Sequence, residues 1–94
     1  MAGSENSIIL TAVGINRVGV LGEITGKISD LGGNVMDISQ KMMGNKFNLL
    51  MEIDLSGKNS NFAEFKEGME KLGEKNGYKV SIVREKIFRY MHRI

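Results

Sequence analysis

Residues 14–21 read GINRVGVL, which puts an amide side chain, a guanidinium and a glycine at one turn between two apolar segments. Asn16 and Arg17 are residue types that can hold an anion, the first through its amide and the second through a fork of N–H donors. Gly19 lets another group approach the backbone closely. A helix opening just after it adds the partial positive charge of its N-terminus. Elsewhere the material is thin. Asp37 and Glu52 are carboxylates that could face one another, but two carboxylates without a third ligand make a poor cation site. They are more simply balanced by Lys41 or by a partner chain. His92 is the one histidine and cysteine is absent, so nucleophilic triads and Cys- or His-based metal sites lack their parts. No cofactor or metal is called for. What remains is binding without covalent chemistry.

The chain has 94 residues, enough for one core. Its hydrophobic content of 41% and charged content of 26% fit a globular domain. Thirteen cations against eleven anions leave a net charge of +2, which is no nucleic-acid footprint. No run of about 18 apolar residues is present to span a membrane. The opening MAGSENS has neither a charged n-region nor an apolar h-region, so the chain reads as cytoplasmic.

Periodicity supplies the elements that must carry the turn. SIILTAVG (7–14) is a buried strand ending at glycine. Val18–Leu31 repeats Leu21, Ile24, Ile28 and Leu31 at helical spacing and stops at Gly32–Gly33. Val35–Met43 and Lys46–Leu55 form a hairpin about Gly44–Asn45, a pair suited to a type II′ turn. That turn sets the register: Met42 faces Phe47, Gln40 faces Leu49, Ile38 faces Met51 and Met36 faces Ile53 on a mostly apolar face. Lys41–Asn48, Ser39–Leu50 and Asp37–Glu52 share a polar one. Phe62, Phe65, Met69 and Leu72 mark a second helix ended by Asn76–Gly77, and Tyr78–Arg84 alternates as a fourth strand. Ile87, Phe88, Met91 and Ile94 form an apolar stripe on a terminal helix, which should pack on the open sheet face of its own chain or of a partner. The order βαββαβ with right-handed crossovers gives a ferredoxin-like α+β sandwich, a four-stranded antiparallel sheet with two helices on one face. Both strands of the hairpin should then lie under the helices.

A fold of this kind fixes no function. RNA binding needs aromatics on the open face of the central strands, and Phe47, their one aromatic, points to the core. An acylphosphatase-type enzyme would use an arginine loop like this one, but GVLGEI stands where that family carries an aromatic–arginine pair. The stretch GINRVGVLGEITGKISDLGGNVMDISQ instead resembles the ACT domain, the amino-acid-sensing module of many metabolic enzymes. Asn16, Arg17, Gly19, Val20 and Leu21 match that family's loop motif, with Val18 in place of a proline. The absence of a catalytic domain and the ending IFRYMHRI are similar to small free-standing ACT-only proteins. The resemblance implies residues 7–84 as the ACT domain, 1–6 as a disordered N-terminus and 85–94 as a C-terminal helix.

It also implies a non-catalytic regulatory or sensory module, with a small amino acid held at a homodimer interface by Asn16, Arg17, Val18, Gly19, Val20 and Leu21 of one chain and Asn34 of the other. A ligand-free protein-interaction module of the same fold is the second reading, in which Asn16 caps the helix and Asn34 is a turn residue. The second strand is an outer edge in this strand order and needs cover. Gly22, Gly26 and Ser29 form a small-residue stripe on the first helix. A dimer along both is expected.

Overall fold

The computed structural model describes residues 6–56 and 61–87. The elements run β1 (Ser7–Ile15), α1 (Val20–Asp30), β2 (Asn34–Met43), β3 (Lys46–Asp54), α2 (Phe62–Asn76) and β4 (Tyr78–Arg84). The strands form one antiparallel sheet in the order β2-β3-β1-β4, so the ferredoxin-like sandwich read from the sequence is what the chain adopts. Ile8, Leu10 and Ala12 of β1, Phe47, Leu49, Met51 and Ile53 of β3, and Val80 and Ile82 of β4 bury one sheet face. Val20, Ile24 and Ile28 of α1 close over it with Phe65 and Met69 of α2.

Local chemistry sets the ends of these elements. The Asn61 side chain accepts from the Glu64 amide at 3.0 Å and caps α2. Gly77, with φ +85°, ends that helix in the left-handed conformation. Gly44 has φ +66° while Asn45 keeps a negative φ, as a glycine-first hairpin turn requires.

Two expectations need correction. The hairpin register holds from Met42–Phe47 to Asp37–Glu52, but Val35, not Met36, pairs with Ile53. A β-bulge at Met36 inserts one residue, so Val35 packs against the core and Met36 turns outward. The helices also fail to cover β2. Ile38 is 42% exposed and Met42 47%, so beyond Val35 this outer strand is left bare while the core forms on β3, β1 and β4.

Residues 85–87 begin a helical turn after β4, with Ile87 half-exposed. Phe88, Met91, His92 and Ile94, and thus the packing of the terminal stripe, lie outside the described residues. So does 1–5 of the expected disordered N-terminus. The Asn6 carbonyl accepts from the Leu55 amide at 2.9 Å.

Candidate functional site

The turn from β1 into α1 is built by two backbone hydrogen bonds and a left-handed glycine. The Asn16 amide donates to the Asn45 carbonyl at 2.8 Å, tying the turn to the β2–β3 hairpin. The Val20 amide donates to the Arg17 carbonyl at 3.3 Å, and Gly19 stands at the N-cap of α1 with φ +89°. No side chain caps α1. Asn16 is therefore not the helix cap, and the Leu21 and Gly22 amides have no acceptor among the described residues.

Arg17 folds back over the helix. Its guanidinium donates to Glu23 Oε1 at 2.8 Å, and the Tyr78 hydroxyl donates to the same oxygen at 3.0 Å. Tyr78 is held by its neighbours on β1 and β3. A Cβ on Gly14 would lie 2.6 Å from Tyr78 Cβ, so only glycine lets the ring cross β1 there. Phe47 meets that ring edge-on, with centroids 5.8 Å apart. Burial, then the hydrogen bond and charge of Glu23, push the Tyr78 phenol above its ordinary pKa, with Arg17 opposing.

The predicted residues separate into groups. Asn16, Arg17, Val18 and Gly19 are exposed at the turn, and Val18 is 99% exposed. Val20 sends its side chain into the core and Leu21 packs against it, so these two offer the turn only backbone. Asn34 is elsewhere: the β1–β3 and β2–β3 registers put Ser7, Asp54 and Asn34 at one end of the sheet and Ile15, Lys46 and Met43 at the other. Nine steps along the strand, about 30 Å, separate the level of Asn34, opposite Ser7 through Asp54, from that of Asn16 within a chain. Beside the turn, Val13, Met43, Asn45, Lys46, Phe47 and Asn48 line a groove of about 430 Å³. Asp37 and Glu52 face each other as expected, and an Asp37 oxygen accepts from the Ile38 amide. Among the described residues no three His, Cys, Asp or Glu side chains gather.

Glu23 and Tyr78 were not legible as site residues from their spacing, since they lie 55 positions apart. The available signal was Gly14 opposite an aromatic across the β1–β4 pair, which the strand order implies.

The ACT domain model matches residues 6–83. The chain belongs to the ACT domain family. A UPF0237 protein of Methanococcus maripaludis is 36% identical over 94% of this chain and 98% of its own length. An ACT domain protein from Streptococcus pneumoniae superposes with a TM-score of 0.76 at 29% identity, over 87% of this ACT domain chain and 92% of that one. A structure described as a glycine cleavage system transcriptional repressor gives 0.74 at 29% identity, over 83% of this chain and 44% of its own. No helix among the described residues is long and apolar enough to cross a membrane.

Proposed function

We propose that this ACT domain is a cytoplasmic, non-catalytic regulatory module that works as a homodimer and binds a small amino acid between its chains. The observation that carries the reading is the placement of the two asparagines at opposite ends of a sheet whose outer strand, β2, is an exposed edge. Two copies joined along β2 by a two-fold axis run their edges antiparallel. That operation brings Asn34 of each copy toward the Met43 end of the other, where the Asn16 turn begins. The uncapped Leu21 and Gly22 amides and the helix dipole suit the ligand's carboxylate, and the two asparagines suit its amino group and side chain.

Exposed Met36, Ile38, Met42 and Met43 on β2 supply apolar surface for such a joint. Added Cβ atoms on Gly22 and Gly26 would meet nothing within 4 Å, so the outer stripe of α1 is open to a second backbone. A fully exposed valine at the turn gains from the same cover.

A thermal-shift screen of the common amino acids tests the reading. A ligand at about 100 times its dissociation constant adds roughly 2.7 kcal/mol, and Asn16→Ala or Asn34→Ala removes the shift. If no amino acid shifts the wild-type protein, the ligand-free interaction module replaces this reading. An enzyme of the acylphosphatase type finds less support, since Arg17 is engaged by Glu23.

A further inference from the structure

We propose that Glu23 and Tyr78 are positioning residues that make the β1–α1 turn selective for amino acids with uncharged side chains, by holding Arg17 on α1 and cancelling its charge. This inference rests on the amino-acid reading above and adds the class of ligand. Arg17 is the one formal cation of the turn, and its guanidinium is bonded to a carboxylate that also receives the Tyr78 hydroxyl. The carboxylate has two fixed anchors. Glu23 is rooted in the first turn of α1, and Tyr78 is fixed by the Gly14 crossing and the Phe47 ring. Arg17 is therefore drawn toward the helix and away from a ligand that uses the helix amides.

The electrostatic consequence follows. A ligand at the turn meets one cation and one anion that cancel, plus the partial positive charge of the helix N-terminus. That partial charge suits one carboxylate. A second carboxylate, on the side chain of an acidic amino acid, finds Arg17 already paired and lies in the field of Glu23. Lys46, level with Ile15 at this end of the sheet, is left in place by both Glu23→Gln and Tyr78→Phe, so a change in preference reports on Arg17. Glutamine and glutamate have nearly the same shape and differ in that charge, so the pair isolates the effect.

The test measures dissociation constants of glutamine and glutamate, and of asparagine and aspartate, for the wild-type dimer, Glu23→Gln and Tyr78→Phe. Hydrogen exchange at the Val20 amide is followed in parallel without ligand. Wild type should prefer the amides. Glu23→Gln frees the Arg17 fork and should move the acid-to-amide preference about tenfold toward the acids. Tyr78→Phe keeps the carboxylate and removes one anchor, so it should speed Val20 exchange with a smaller change in preference. A merely structural role would weaken acids and amides alike and leave their ratio fixed. An unchanged ratio in Glu23→Gln, or unchanged Val20 exchange in both variants, overturns the inference while the amino-acid reading stands. If wild type binds no amino acid while Val20 exchange still responds, the failure belongs to the amino-acid reading and the claim of selectivity falls with it.

Discussion

Asn16 and Asn61 are the same residue type, the first four positions ahead of α1 and the second directly ahead of α2, and they have different work. Asn61 accepts from the Glu64 amide and caps α2, whereas Asn16 caps nothing. Asn61→Ala should therefore cost about 1 kcal/mol in denaturant unfolding, and Asn16→Ala should leave the unliganded protein within about 0.5 kcal/mol of wild type. A loss of about 1 kcal/mol in Asn16→Ala would return that residue to a capping role. Tyr78 gives a second check. The chain has two tyrosines, so Tyr90→Phe leaves one phenol to follow by ultraviolet absorbance. Its folded-state pKa is raised, chiefly by burial and then by Glu23. The folded chain thus holds this proton more tightly than the unfolded chain, whose phenol titrates near about 10. The stability this contributes is complete below that pH and is lost as pH rises toward the folded pKa. The phenol should titrate well above its ordinary range, and Glu23→Gln should lower it without restoring the ordinary value, since burial persists. Titration at the ordinary value would mean that the hydroxyl is solvated.

At the scale of elements, the sequence was most legible where a pattern repeats. The period-2 and period-3.6 runs locate six elements, and the Gly44–Asn45 turn fixes the hairpin register as far as Asp37. The bulge at Met36 was hidden because Val35 and Met36 are both apolar, so either could face Ile53. The bare face of β2 was hidden for another reason. Alternation says which residues share a face, but how far two helices reach across four strands is a matter of packing. In the site, the turn could be read from its residue types, while the Arg17–Glu23–Tyr78 contact needed β4 laid against β1. Two measurements act at this scale. Gly14→Ala presses a Cβ against Tyr78 and should destabilise the fold by about 1–3 kcal/mol in chemical denaturation. Ile38→Lys on the bare edge strand should cost the single chain little and shift light-scattering mass from dimer to monomer. A dimer that survives Ile38→Lys unchanged would move the joint away from β2.

For the whole molecule, a single copy presents half of each proposed site: a turn with open amides at one end of the sheet and Asn34 at the other. The central claim is that a ligand is held by Asn16 of one copy and Asn34 of its partner. Complementation measures it most directly. Asn16→Ala and Asn34→Ala chains are each titrated by calorimetry with the amino acid that shifts wild type, then mixed in equal amounts, unfolded together, refolded and titrated again. Each variant alone has both sites broken. In a mixed dimer, one site combines the intact Asn16 and the intact Asn34, and the other holds both substitutions. Random pairing makes about half the dimers mixed, so the refolded mixture should recover about a quarter of the wild-type binding capacity. A refolded dimer mixture that binds nothing would mean that Asn16 and Asn34 do not act together across the two chains.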